Sequence, residues 1–352
     1  MGRAHLGSAA KIESLNLGRF WLEPYGQGTD ERIGALSRVE AGPSERWGTN
    51  LVPGLQASER DKLANRSIAI SRLSKLPPFH PTVLRLLAVS TERDSAITDF
   101  EMVFQGDPAL ASHLLMVANS PIYGFRNRVD SVRHAIALMG LEGVRSLAFT
   151  LAIGSYVRGP QTTAAVRSVW NHSLATAVVA ETIGAACGQN VPLLYTAGLL
   201  HDVGRLGLLS IERQRYAGVL QRTYFDLEES LLLEDLLFGC AHDDAGAFLA
   251  RSWGFPEHLC DCIRYHHHPD EMAANRLLQQ TIQYACYTAG SLGMAEVQCE
   301  DDPSEHVDEF LAARLEGVPA MKPERLLARI NKVMESLVSA DAHPGAMSGT
   351  YS

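Results

Sequence analysis

The stretch Gly198-Leu199-Leu200-His201-Asp202-Val203-Gly204 places an adjacent histidine and aspartate at the end of an apolar helical segment. The imidazole offers a neutral nitrogen ligand and the carboxylate a charged oxygen ligand, a combination that suits Zn, Mn, Fe or Mg. A hydrolytic metal centre needs several such ligands from different helices and an open position for water. The pair therefore indicates a metal site if further ligands lie on the neighbouring helices.

Candidate ligands do occur in the segments around this pair. His172 lies on the long helical segment before it, His242 lies at the start of a later one, and His266 ends another. We expect His267 and His268, which follow directly, to face solvent. The residues that we expect to converge in one pocket are His172, His201, Asp202, His242 and His266.

Apolar residues recur at helical spacing from about residue 76 onward, and no run alternates as a half-buried strand would. Asp107-Pro108 predicts a helix start, because the carboxylate accepts from first-turn amides and proline supplies the fixed φ of the first helical position. Gly140 and Gly188 are typical of helix ends. We predict an all-α fold, with helices over about 131–140, 141–157, 162–187, 206–222, 229–238, 243–252, 256–266, 274–290 and 323–339.

Composition sets further limits on the 352-residue chain. A net charge of −9 argues against a nucleic-acid binder, which would carry a basic face. No stretch approaches the ~18 uninterrupted apolar residues of a membrane span, and no apolar run follows the first residues, so we expect a cytoplasmic protein. No CxxC motif is present, and we expect reduced cysteines. The six cysteines are Cys187, Cys240, Cys260, Cys262, Cys286 and Cys299.

The pattern along the chain predicts three parts. Residues 1–64 have no sustained period and read as a weakly ordered extension. Residues 65–295 form the helical domain, with a first lobe over 65–158 and a second lobe over 159–295 that are joined where Arg158-Gly159-Pro160 interrupts the periodicity. Residues 296–352 form a tail with one amphipathic helix.

Several of these motifs resemble a known family. Trp170-Asn171-His172-Ser173, Gly198 to Gly204 and Ile263-Arg264-Tyr265-His266-His267 resemble the motifs of HD-superfamily proteins. The remaining motifs resemble the HDOD domain, and the match covers roughly residues 66–292. These are Leu76-Pro77 with Pro81 and Leu86, Asp107-Pro108-Ala109-Leu110 through Asn119-Ser120, Ala135-Ile136 with Leu138-Met139-Gly140, and Trp253-Gly254-Phe255-Pro256.

The resemblance implies a two-lobed helical domain related to HD and HD-GYP phosphohydrolases, found in bacterial signalling and regulatory proteins that have usually lost catalysis. It implies that His172, His201 and Asp202 match three of the four core metal ligands. It also implies that His242 and one or both of His266 and His267 match the extra histidines of two-metal relatives.

Two positions depart from the pattern that the resemblance implies. Cys286 stands where a late aspartate ligand is expected, and Arg205 stands where a lysine is expected. A thiolate ligates zinc but does not replace a carboxylate for Mg or Mn, and arginine cannot serve as a tunable proton donor. Asp202 and Arg205 would be catalytic only in an active enzyme. The Gly-Tyr-Pro motif of cyclic-dinucleotide hydrolases does not occur in this half of the sequence.

Three interpretations of the site stay open: a buried polar network kept after metal loss, binding of Zn, Mn or Fe without turnover, and hydrolysis of a nucleotide or phosphate ester. We favour a bacterial signalling or regulatory protein without catalysis. We expect its partner to be a signalling protein or a small phosphorylated ligand, and we expect neither nucleic acid nor a membrane as a partner.

Overall fold

A computed structural model describes residues 59–78, 81–91, 97–157, 163–223, 227–269, 275–294, 315 and 318–341. These residues contain helices and turns and no β-strand, which confirms the all-α fold. A short π-helical segment, Gly290–Met294, and a 3-10 turn, Pro319–Met321, precede the last helix. In chain order the helices are α1 Glu59–Leu73, α2 Pro81–Thr91, α3 Ile97–Gln105, α4 Pro108–Ala118, α5 Val132–Val157, α6 Ala164–Cys187, α7 Val191–Leu200, α8 Val203–Ile211, α9 Arg213–Arg222, α10 Leu227–Phe238, α11 His242–Ser252, α12 Glu257–Tyr265, α13 Arg276–Ala289 and α14 Pro323–Asp341.

Local sequence signals account for the ends of several helices. The Asp107 carboxylate accepts from the Leu110 amide at 3.0 Å, so the predicted cap of α4 is confirmed. Gly188 closes α6 in the left-handed region, with φ 65° and ψ 27°. Gly140 breaks α5 with φ 79° and ψ 160°, so the two predicted helical segments on either side of it are confirmed.

Helix α6 is the central element of the core. Every residue from His172 to Ala180 is buried, because α7, α13 and α14 pack around this helix. A helix that is enclosed on all sides needs apolar or small residues on all its faces, as α6 has. Polar side chains in this stretch, such as His172 and Thr176, must therefore find partners inside the protein.

The first lobe packs α2, α3 and α4 against α5. Within α5, Val132–Gly154 is long and apolar enough to cross a membrane, but over half of its most apolar window, 56%, is buried within the protein. That degree of burial is typical of a core helix. The sequence search for a membrane span did not flag this helix because charged residues such as Arg145, itself only 3% exposed, interrupt its apolar run.

The structure differs from the sequence predictions in two helical segments. The helix predicted over 206–222 is two helices, because Glu212 leaves the helical backbone with φ −144° and ψ 56°. Helix α1 begins at Glu59, inside the segment predicted to be weakly ordered, and it packs on α8 and α10 of the second lobe. Its buried Ala69 and Leu73 explain that contact.

The described residues test the other predictions about chain organisation only in part. Residues 1–58 and the predicted junction at 158–162 lie outside the described residues, so the predicted boundaries stay predictions. The described cysteines are reduced, as expected, and Cys299 lies outside the described part. They are Cys187, Cys240, Cys260, Cys262 and Cys286.

Candidate metal centre

The break between α7 and α8 presents the histidine and aspartate pair. His201 keeps helical angles at the end of α7, with φ −53° and ψ −37°, whereas Asp202 leaves them, with φ −101° and ψ 20°. Helix α8 then starts at Val203. Both side chains are enclosed, with His201 fully buried and Asp202 2% exposed.

Gly204 explains why a glycine follows this pair. A Cβ atom at this position would lie 1.8 Å from the carbonyl oxygen of His242 and 2.6 Å from the amide of Gly246. Only glycine permits such a close approach of two backbones. The contact brings the start of α11, and with it His242, to the side of Asp202.

The first group of candidate ligands consists of His172, His201 and Cys286. His172 Nδ1 lies 2.8 Å from the carbonyl oxygen of Met294, and His201 Nδ1 lies 2.7 Å from that of Gly198. Because a carbonyl oxygen only accepts, each Nδ1 carries the proton and donates it. Burial lowers the pKa of His172 and lowers that of His201 to about 3, so both rings are neutral and each Nε2 carries a lone pair.

These two lone pairs point into the same space. His172 Nε2 and His201 Nε2 are 3.3 Å apart, and Cys286 Sγ lies 3.4 Å from His172 Nε2. Two unprotonated nitrogens at this distance repel each other unless a positive centre lies between them. Nitrogen ligands of tetrahedral zinc, with bonds of ~2.05 Å, are ~3.3 Å apart. The spacing therefore fits zinc.

The second group consists of His242, His266 and His267 beside Asp202. His266 donates from Nδ1 to the carbonyl of Ile263 at 2.7 Å. Its buried Nε2 has no hydrogen-bond partner among the described residues and lies 3.6 Å from Asp202 Oδ1. This nitrogen and this carboxylate oxygen lie close enough for one cation to contact both.

His242 is held differently from the other histidines. Its Nδ1 contacts Glu234 Oε2 at 2.7 Å, and its Nε2 lies 3.2 Å from Asp202 Oδ1 and 3.0 Å from His267 Nε2. Burial and the charge of Arg205 lower the pKa of His242, but the two carboxylates outweigh them and raise it to about 9. A metal bound at this Nε2 must therefore displace a proton.

Asp202 lies between the two groups of ligands. Its Oδ2 is 3.5 Å from His201 Nε2 and 3.9 Å from His172 Nε2, whereas its Oδ1 faces His242 and His266. One carboxylate thus offers one oxygen to each group, as a carboxylate that bridges two metal ions does.

Sequence reasoning missed the buried network behind these ligands. Arg205, 1% exposed, donates to Asp202 Oδ2 at 3.2 Å and to Glu234 Oε1 at 3.1 Å. Glu234 is fully buried and also accepts from the Tyr216 hydroxyl at 2.7 Å and from the His242 amide at 2.8 Å. Burial raises the pKa of Glu234, but the charges of His242 and Arg205 outweigh it and lower the pKa to about 2.

The sequence signal that could have identified Glu234 as buried is its helical spacing. It follows Ser230 and precedes Phe238 by four residues on one face of α10, and all three are buried. An acidic residue on a buried face needs a cationic partner, and Arg205 was not recognised as that partner.

The structure brings the predicted residues together in two adjoining groups, with Cys286 in the first. Their role as metal ligands stays a prediction. The expectation that His267 faces solvent was wrong. His267 is 8% exposed, and the amide of Gln283 on α13 donates to its carbonyl at 2.9 Å, which holds the end of α12 against the site. His268 is exposed, as predicted.

The described residues thus define an all-α protein with a buried cluster of histidines around one aspartate. The sequence model of the HDOD domain matches residues 76–269, more than half of the chain, and the chain belongs to the HDOD domain family.

Solved structures share the fold. An HDOD domain protein of unknown function from Geobacter sulfurreducens is 24% identical, with a TM-score of 0.61 over 81% of this chain and 98% of that one. A candidate signal transduction protein from Marinobacter aquaeolei VT8 is 22% identical, with a TM-score of 0.64 over 82% of this chain and 68% of that one. A candidate phosphohydrolase from Shewanella amazonensis SB2B is 21% identical, with a TM-score of 0.56 over 79% of this chain and 98% of that one.

One curated relative is an uncharacterized protein of Treponema pallidum (strain Nichols). It is 25% identical over 237 residues, which are 66% of this chain. The chain spans 45% of the length of that relative.

Proposed function

We propose that this protein is a bacterial, cytoplasmic regulatory protein whose HD centre binds a divalent metal without turnover. In this proposal the metal-loaded domain acts by binding a signalling protein or a small phosphorylated ligand. The observation that carries the proposal is the pair of unprotonated Nε2 atoms of His172 and His201, 3.3 Å apart and both buried. Cys286 Sγ, 3.4 Å from His172 Nε2, adds a sulfur ligand to these two nitrogens at the same point.

The donor set favours zinc. Two imidazoles, a thiol and the Asp202 carboxylate provide the nitrogen, sulfur and oxygen ligands that zinc accepts together. Mg and Mn prefer oxygen ligands, and the first group, His172, His201 and Cys286, has none of its own. The nearby oxygen is Asp202 Oδ2, 3.5 Å from His201 Nε2. When bound, zinc would act as a Lewis acid and organise the surrounding side chains.

Two features support binding without turnover. The histidines and Asp202 are each no more than 8% exposed, and Cys286 is partly buried. Four protein ligands are typical of a structural zinc site, whereas a catalytic site keeps one position open. Arg205 is bound by two buried carboxylates and stays charged, so it cannot donate a proton at neutral pH. The likeness to a candidate signal transduction protein is consistent with this function.

The alternative is a metal-dependent phosphohydrolase that acts on a nucleotide or phosphate ester. Asp202 favours it, because its two oxygens face two separate ligand groups. In such an enzyme Asp202 and the histidines would hold the metals, and a metal would lower the pKa of a bound water. A phosphodiesterase assay with added Mn or Fe separates the two functions.

Metal analysis of the purified protein tests the proposal. We expect about one zinc per chain, held by His172, His201, Cys286 and Asp202, and its loss in His201→Ala, because removing one ligand opens the set. His134→Ala is the matched control, since His134 pairs with Asp130 at the start of α5 and is not one of the clustered ligands. A wild-type protein that binds no zinc after incubation with it and dialysis would favour the vestigial network instead.

A further inference from the structure

A second site lies outside the metal centre, in a cavity between α1, α11 and α12. Its volume is about 430 Å³, within the ~300–1,000 Å³ of small-molecule sites. Three arginines, one from each helix, line it: Arg66, Arg251 and Arg264. The clustered ligands of the metal centre do not line it.

Helix α1 is fixed at this position by contacts with the end of α10. Lys62 Nζ lies 2.7 Å from Asp235 Oδ2, and the Asn65 side chain donates to the Leu236 carbonyl at 3.3 Å. A Cβ atom on Gly239 would lie 2.3 Å from the Lys62 carbonyl oxygen, so the two backbones are in direct contact. Arg66, one helical turn after Lys62, is therefore held over the cavity by the fold.

The cavity has more positive than negative groups. Asp244 is the one carboxylate among its lining residues, and it lies 2.5 Å from Arg264 and 3.8 Å from Arg66. Arg251 pairs instead with Glu257 at 2.6 Å and with Asp261 at 3.2 Å, both outside the lining. Both arginine side chains that face Asp244 are partly exposed, 51% and 37%, and ion pairs of this kind contribute little and rearrange readily. Two arginines thus share the single carboxylate Asp244, which leaves guanidinium hydrogen-bond donors at the cavity for an anion.

The rest of the lining is suited to an apolar group. Ile70 and Phe248 are partly buried and both contribute to the wall. Guanidinium groups bind phosphate through paired hydrogen bonds, while aliphatic and aromatic side chains bind the apolar body of a ligand. The lining therefore combines arginine side chains that can bind an anion with an apolar surface that can bind the rest of a ligand.

We propose that this cavity binds a phosphorylated small molecule. Its phosphate lies on Arg66 and Arg264, and its apolar body lies against Ile70 and Phe248. The inference rests on the proposed regulatory function and deepens it, because it assigns the small phosphorylated ligand to a site. Two cavity residues, Cys240 and Asp244, flank the metal-centre residue His242 in sequence, so a ligand here would contact the start of α11.

The test is isothermal titration of the full chain with phenylphosphonate, which carries a phosphate-like head and an aromatic ring and has no ester to hydrolyse. We expect Arg66→Met to weaken binding about tenfold. Asp244→Asn should strengthen it about fivefold, because the competing carboxylate charge is removed. Phe248→Ala should weaken the binding of phenylphosphonate, while the affinity for inorganic phosphate should stay within about twofold of the wild-type value.

Arg133→Met is the control, since Arg133 is an exposed arginine that pairs with Glu101 in the first lobe. This variant should bind phenylphosphonate as tightly as the wild type does. The proposal is overturned if the wild type shows no saturable binding, or if Asp244→Asn leaves the affinity unchanged. Binding of a glutamate-rich peptide without binding of phenylphosphonate would also overturn it, in favour of a protein partner. Metal content is measured on the same samples: zinc without phosphonate binding refutes this site alone, and phosphonate binding without zinc refutes the metal centre alone.

Discussion

The Glu234→Gln variant should be less stable than the wild type by about 3–5 kcal/mol, the usual effect of breaking a buried ion pair. Glu234 is fully buried and accepts from Arg205 and from the Tyr216 hydroxyl. It also accepts from the backbone amide and the ring Nδ1 of His242. Glutamine keeps the shape but removes the charge, so the buried guanidinium loses one of its two carboxylates. Urea unfolding of the two proteins measures the difference in free energy.

The pH dependence of unfolding provides a second measurement of the same network. The pKa of Glu234 is lowered from 4.5 to about 2, because the charges of His242 and Arg205 outweigh the effect of burial. A carboxyl group with a lowered pKa stabilises the fold above its unfolded pKa, and this stabilisation is lost as the pH falls from 4.5 towards 2. Glu234→Gln should lack this contribution, so its stability should fall less over that range.

Glu229→Gln is the matched control on the same helix. Glu229 pairs with Arg222 at 3.1 Å, and both side chains are about one-third exposed, 36% and 33%. An exposed pair contributes less than about 1 kcal/mol, so this variant should unfold close to the wild type. Equal destabilisation by the two substitutions would contradict the role of Glu234 at the centre of the buried network.

The sequence predicted the helices because their ends depend on local signals. The Asp107 cap, the Gly140 break and the Gly188 helix end are each set by residues within one helical turn. The histidine and aspartate pair could be placed at the end of α7 for the same reason. The expectation that other histidines converge on this pair came from the family resemblance, since spacing along the sequence does not show which helices meet.

Long-range contacts were beyond the sequence patterns. Glu234 and Arg205 are 29 positions apart and pair only because α8 and α10 both border the start of α11. His267 was expected to face solvent because it follows the end of a helix, but Gln283 on α13 binds its carbonyl and encloses it. In both cases the packing of a distant helix, rather than local propensity, decided the environment of the side chain.

The Cys286→Asp variant should bind Mn more tightly than the wild type, on the order of tenfold to a hundredfold, the scale on which neighbouring groups change metal affinity. Cys286 Sγ lies 3.4 Å from His172 Nε2, so the new carboxylate would enter the first ligand group. There it would join the Asp202 carboxylate, and two oxygen ligands suit Mn better than one oxygen and a thiolate. Competitive titration with a chelator measures both the Mn and the Zn affinity.

Cys286→Ser separates removal of the thiolate from addition of a carboxylate. It should weaken zinc binding and leave Mn binding close to that of the wild type, because a hydroxyl adds no charge. Turnover is a less direct readout for Cys286→Asp, since the charged Arg205 remains on Asp202 Oδ2 and holds hydrolysis down even when Mn is bound. The metal titration decides the matter: if the wild type and Cys286→Asp bind Mn equally well, Cys286 does not occupy a ligand position, and the site must be built from the histidines and Asp202 alone.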